Sequence, residues 1–200
     1  MTDEQPTRPY RMRRRAELQQ ETRRRITESA VALHGTLGPS RTSLSAVADH
    51  AGVRRSTLYR HFPDEAALFD ACSQHWALEH PLPDLQAWAG IADPDERLRV
   101  AIDELYAYFR GAEPMLTNLL RDASISPLVA ERFAGWGGWL GAARDILLRG
   151  RGARGGRRRR ARAAIGHAIA FGTWTSLVRD QGLSDTEAAA LMRALVAGCS

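Results

Sequence analysis

The sequence contains no lysine, so all 28 of its fixed positive side chains are arginines. Each cationic contact is therefore made by a planar guanidinium fork. Such forks match phosphate and guanine edges better than a point charge does. Cysteine is almost missing too, with Cys72 in an amphipathic run and Cys199 penultimate. Two such cysteines make no disulfide framework and point to a reducing, cytoplasmic setting. No apolar run approaches the roughly 18 residues of a membrane span. No hydrophobic stretch follows the basic residues near the start, so a secretory signal is not expected. Strand-type alternation and internal repeats are missing. No Ser-His-Asp order, nucleotide loop or paired carboxylates stand out, so neither an enzyme nor a cofactor is expected.

What is present is an uneven charge and a succession of helical patterns. Residues 1–61 carry a net charge of +6, residues 149–162 carry +8 with no acid, and the remainder carries −9. A basic N-terminal third beside an acidic body points to a polyanion partner for the first part alone. Residues 1–15 are polar, with Pro6, Pro9 and Arg13-Arg14-Arg15, and read as a disordered basic arm. Helical spacing follows over about 16–37, 43–50, 54–61 and 64–79, with Gly38-Pro39 ending the first run. Further helices are expected at about 94–110, in a short segment after Pro114, at about 127–148, at about 157–179 and at about 184–197. Asp93-Pro94, Ser126-Pro127 and Ser184 with Glu187 supply N-caps. Residues 149–156 read as a Gly/Arg linker. The organisation expected is all-α, with the arm at 1–15, one domain at 16–62 and a larger helical domain at 63–200.

The informative stretch runs from Thr42 to Phe62, TSLSAVADHAGVRRSTLYRHF. It reads as helix, tight turn, helix. Leu44, Val47 and Ala48 face inward from the first helix, and Ala51 is small enough for close helix approach. Gly52 permits the positive φ that the turn needs. Val53, Leu58 and Phe62 seat the second helix on the first. Arg54, Arg55, Ser56, Thr57, Tyr59, Arg60 and His61 are left on or beside the outward face, with Thr42 and Ser43 ahead of the first helix. These nine residues are the candidate DNA contacts, because an arginine-led face on a short helix suits a major groove.

The stretch Ala48 to Phe62 resembles the TetR (tetracycline repressor) family. The likeness lies in Ala51-Gly52-Val53, Thr57-Leu58-Tyr59 and His61-Phe62, with Ala66-Ala67-Leu68-Phe69 fitting the start of that family's fourth helix. It covers about residues 16–72. The resemblance implies a three-helix DNA-binding domain, a helical effector-binding domain, and a homodimer paired through the last two long helices. It implies double-stranded operator DNA and a small-molecule effector as partners, and repression as the activity. Two positions depart from the family pattern. Arg54 stands where a small hydroxyl residue commonly opens the recognition helix. Glu65 stands where a lysine commonly approaches a phosphate, and a carboxylate cannot make that contact.

The larger domain gathers aromatic residues. Trp76, Trp88, Tyr106, Phe109, Trp136, Trp139, Phe171 and Trp174 are candidates for the wall of an apolar ligand cavity. Each taken alone is an ordinary core residue. His75, Glu79 and His80 lie close in sequence but lack a matching cluster, so no metal site is expected. Residues 150–156 resemble a phosphate loop in composition only. A rival organisation, a DNA-binding dimer without an effector, would use the second domain for dimerisation or protein docking alone. Ala164, Gly166, Ala168 and Gly172, with the stripe Ala188, Leu191, Met192 and Leu195, suit close helix pairing between two copies.

Overall fold

The computed structural model describes residues 8–152 and 154–199. Among these residues every regular element is helical. In order they are α1 (Arg8–Thr36), a 3-10 turn (Pro39–Arg41), α2 (Leu44–His50), α3 (Arg55–His61) and α4 (Glu65–Glu79). Then come α5 (Leu85–Gly90), α6 (Pro94–Ala123), α7 (Pro127–Leu148), α8 (Gly155–Ala168) and α9 (Phe171–Thr175). A π-helical turn (Ser176–Asp180) and α10 (Asp185–Cys199) close the chain. The all-α fold read from the sequence is the fold observed. Among the described residues no helix is long and apolar enough to cross a membrane.

The chain forms two compact units. The first holds the residues up to Glu79 together with Thr117–Val129. Its core joins Ile26 and Ala30 of α1, Val47 and Ala48 of α2, Leu58 and Phe62 at α3, and Leu68 and Cys72 of α4. Leu68, Phe69 and Cys72 are buried, and α4 packs on α1. The unit therefore extends past the boundary expected at residue 62. Residues 8–15, expected to be a disordered arm, are the opening turns of α1, whereas residues 1–7 lie outside the described residues. Arg, Ala, Glu, Leu and Gln are strong helix formers. Arg13 Nε also reaches Glu17 at 3.1 Å across one turn.

The second unit holds His80–Leu116 and the described residues from Ala130 onward. Trp88, Ile102, Leu105, Tyr106, Phe109, Leu147, Ile165 and Trp174 are its fully buried core. The expected caps form. Asp93 accepts from the amides of Asp95 and Glu96, and Ser184 with Glu187 makes a reciprocal capping box. The helix α5 has no counterpart in the sequence reading. Asp84 caps it, and Trp88 anchors it by burying its ring and donating to Glu104 at 2.7 Å.

Two breaks fall elsewhere than expected. Pro114 lies inside α6 rather than between two helices. A mid-helix proline costs about 3 kcal/mol. Buried Phe109, Ala112, Met115 and Leu116 continue one apolar stripe across it, and that burial outweighs the missing amide. The helix expected over 157–179 is instead split at Ile169–Ala170, where the buried side chain of Ile169 turns inward. The split leaves the Ala168 carbonyl without its usual helical donor, and the Tyr106 hydroxyl supplies one at 3.0 Å.

The expected Gly/Arg linker is anchored at Arg151. The Arg151 side chain is 3% exposed and pairs with Asp95 at 2.9 Å. It also donates to the Pro94 and Leu147 carbonyls, while buried Arg97 donates to the Arg149 carbonyl. Gly155 opens α8, and Arg157 to Arg160 in its first turns are all exposed.

Candidate DNA-binding site

The helix-turn-helix is assembled by local chemistry. Ser43 is the N-cap of α2, its hydroxyl accepting from the Ala46 amide at 3.1 Å. The turn closes through Ala51 N to Val47 O, Gly52 N to Asp49 O and Val53 N to Ala48 O. Gly52 sits at φ 62°, where a β-carbon would be strained. Arg54 is the N-cap of α3 in extended conformation, and its side chain makes no capping bond. Its guanidinium is thereby free to face a partner. Arg55 lies over the Tyr59 ring at 5.9 Å, a cation–π contact that orients both side chains. Arg54, Arg55, Ser56, Tyr59 and Arg60 are exposed, whereas Thr57 and His61 are half-buried. Thr42 donates to the Gly38 carbonyl and is also half-buried. The candidates therefore divide by role. The exposed arginines and Tyr59 form the outward face, while Thr42 and Ser43 hold the helix ends.

Two supports were not evident in the sequence. The first is Arg23 on α1. Its guanidinium lies 4.1 Å above the Phe62 ring and donates to the His61 carbonyl at 2.7 Å. One side chain thus fastens the C-terminal end of α3 to α1. Burial, followed by the charges of Arg60 and Arg23, holds the His61 pKa below its ordinary value, so the imidazole favours its neutral form.

The second support is a polar clamp from the last turn of α6, a segment of the first unit. Asn118 donates to the His34 and Gly35 carbonyls, and Arg121 to the Leu37 carbonyl. Asp122, fully buried, accepts from the Ser40 amide at 2.8 Å and from Arg121 at 2.7 Å. The clamp satisfies the terminal carbonyls of α1, which the helix itself leaves without donors. Gly38 lies beneath it at φ 95°, and a β-carbon there would collide with the Arg121 guanidinium and the Asp122 carboxylate. Burial alone would raise the Asp122 pKa, but the bonds from Arg121 and Ser40 outweigh it and hold the group ionised below its usual range. These contacts join residues more than 80 positions apart, which periodicity and local motifs do not reveal.

Glu65 opens α4 as an exposed residue, after Asp64 caps the Ala67 amide. Of the eight candidate ligand-wall aromatics, Trp76 stands on α4 and is counted with the first unit. The other seven form one ring network in the second unit, from Trp88–Trp139 and Trp139–Trp136 through Phe109 to Tyr106, Phe171 and Trp174. Tyr108 and Phe133 join it through Trp136. Trp88, Tyr106, Phe109, Phe171 and Trp174 are buried core, whereas Trp136, Trp139, Tyr108 and Phe133 keep partial exposure. His75 and Glu79 pair at 3.4 Å, and no group of three or more metal-ligating side chains is found among the described residues.

The geometry defines an all-helical helix-turn-helix protein with an arginine-rich second helix. Residues 26–72 match the family of bacterial regulatory proteins described as the tetR family. The chain is similar to the HTH-type transcriptional repressor KstR of Mycobacterium tuberculosis, with 32% identity over 111 residues. That match covers 55% of this chain and 50% of KstR, so the chain spans about half the length of this relative. Among solved structures, NalD is the secondary repressor of the MexAB-OprM multidrug efflux pump in Pseudomonas aeruginosa. It superposes with a TM-score of 0.62 at 24% identity, over 91% of this chain and 97% of that one. AibR, solved in complex with isovaleryl coenzyme A and operator DNA, gives 0.62 at 19% identity, over 88% and 97%. At these identities the two structures establish the fold.

Proposed function

We propose that the chain is a cytoplasmic, homodimeric transcriptional repressor that reads a palindromic operator through α3 and is released by a small hydrophobic molecule. The observation that carries this reading is the free Arg54–Arg55–Arg60 face on a helix held rigidly from behind. Guanidiniums on such a face bond guanine edges in the major groove and phosphates beside it. Thr42, Ser43, Ser56, Thr57, Tyr59 and His61 complete the contact set. The AibR complex, in which a related fold holds both an acyl coenzyme A and operator DNA, supports the ligand-responsive part.

Dimerisation rests on α10. Ala188, Ala189, Met192 and Val196 are buried within the chain, whereas Leu191 and Leu195 remain 48% and 41% exposed. With Ala190 and Ala194 they make an apolar stripe at helical spacing on the outer face. A second copy of α8 and α10 would cover it in a two-fold interface of more than roughly 1,000 Å². The effector wall is assigned to the half-buried side of the ring network, Trp136 and Trp139 with Tyr108 and Phe133. Trp88, Tyr106, Phe109, Phe171 and Trp174 back it as core. A ligand there releases DNA only in proportion to its preference for the conformer that binds DNA less well.

The test is selection from a random duplex library with the full chain, followed by footprinting. The expected product is an inverted repeat with half-sites about one helical turn apart, occupied by two chains. Enrichment of no sequence would overturn the reading. A selected operator that no small molecule in a diverse metabolite panel displaces would favour the effector-free organisation instead.

A further inference from the structure

The first unit contains a cleft of about 520 Å³ that the proposed function leaves unused. It lies among α1, the 3-10 turn, the start of α2, α4 and residues 125–129, all within one compact unit. Its volume falls in the range of small-molecule sites, roughly 300–1,000 Å³. Leu44, Val47, Leu68, Phe69 and Val129 give it apolar walls.

His34 singles this cleft out. Its side chain is almost wholly buried, with 8% of the residue exposed, and it lines the cleft. The ring packs against Phe69 at 5.8 Å between centroids. Its backbone carbonyl is satisfied by Asn118, and its ring nitrogens are not among the polar atoms sealed from solvent without a partner, so the ring is reachable from the cleft it lines. Burial keeps the ring neutral, its pKa lowered to about 4 against a smaller opposing pull from Asp122. A neutral imidazole offers one donor and one acceptor. At the rim, exposed Arg41 and Glu65 oppose each other in sign, so neither an anionic nor a cationic head group is favoured.

We infer that this cleft is a second binding site, inside the DNA-reading unit, for a compact apolar molecule carrying one uncharged hydroxyl that bonds to the His34 ring. The apolar walls hold the hydrocarbon part, and the imidazole provides the polar anchor. A carboxylate head would bring an unpaired charge into a desolvated place and is disfavoured. Ser40 and the α2 cap Ser43 also line the cleft, so a bound molecule touches the helix-turn-helix directly. The site is independent of any effector in the second unit.

The experiment titrates 2-naphthol into the isotope-labelled full chain and follows the imidazole nitrogens of His34 by NMR. The site predicts a saturable shift at His34. It also predicts at least tenfold weaker binding at this site in His34→Phe, followed there through the backbone amides of Ser40 to Leu44, and near-normal binding in His34→Gln. Leu128→Trp, which narrows the cleft and leaves His34 in place, should likewise weaken the shift. The anion 2-naphthoate should bind at least tenfold less well. No saturable shift at His34, unchanged affinity in both His34→Phe and Leu128→Trp, or preference for 2-naphthoate would each overturn the assignment. Binding of 2-naphthol that perturbs only second-unit resonances would also overturn it, while leaving the proposed repressor function intact.

Discussion

At the level of single residues, some side chains of the helix-turn-helix are free and others are committed. Arg54 lacks a capping bond and Arg55 is oriented by Tyr59, so both are available to bases. Replacing either by Ala should cost roughly 1–3 kcal/mol on the selected operator and little on random DNA. An equal loss on both would mean phosphate contact only. Glu65→Lys should tighten binding to any DNA and steepen the salt slope by about one unit, and an unchanged slope would place residue 65 away from the backbone. His34 carries a pH prediction. Its folded pKa is about 4 against an ordinary 6.5, so the unfolded chain takes up the proton first. Stability is therefore full above 6.5 and falls as pH drops toward 4. The loss should reach about 2 kcal/mol at pH 5 in denaturant titrations, and His34→Phe should remove that component. The outward arginines were legible from the sequence because they follow a turn with a fixed glycine. His34 was not, because its burial depends on α4 and residues 125–129.

At the scale of elements, local signals located helices well and their ends less well. Caps at Asp93, Ser126 and Ser184 mark real starts. Pro114 misleads, because a continuous buried stripe overrides a local breaker. The α8–α9 break carries no sequence punctuation at Ile169-Ala170, and it depends on a Tyr106 hydroxyl 62 positions away. The basic opening of α1 reads as an arm because charge density suggests solvation, yet its residues are good helix formers. The polar clamp on α1 is the element-scale feature with the clearest consequence. Asp122→Ala would leave the Ser40 amide unpaired and take one of its acceptors from the Arg121 guanidinium, at a cost on the order of 2–3 kcal/mol. Thermal unfolding should show that cost. Operator affinity should fall with the salt slope unchanged, since no phosphate contact is lost. A variant as stable and as tight-binding as the parent would show that the clamp does not position the reader.

At the scale of the whole molecule, an uneven charge is distributed over two compact units, and only the first carries the helix-turn-helix. The cluster Arg157 to Arg160 belongs to the second unit and faces solvent from α8. Changing these four residues to Ser should leave operator affinity within tenfold. The exposed Leu191 and Leu195 stripe predicts that the double change to Glu yields a monomer by light scattering at micromolar concentration, with operator affinity strongly reduced. The helix-turn-helix was legible from the sequence. The division between units was not, because Thr117–Val129 joins the first unit through contacts across more than 80 residues. Sequence-specific reading by α3 is decided by equilibrium binding of the full chain to its selected operator and to a scrambled duplex, measured against salt concentration. A preference of at least a thousandfold for the operator is expected. Affinity should fall steeply with salt on both duplexes, and the preference should be lost in the Arg54→Ala/Arg55→Ala double variant. Equal affinity for the two duplexes, or a preference that survives the double variant, would contradict sequence-specific reading by α3.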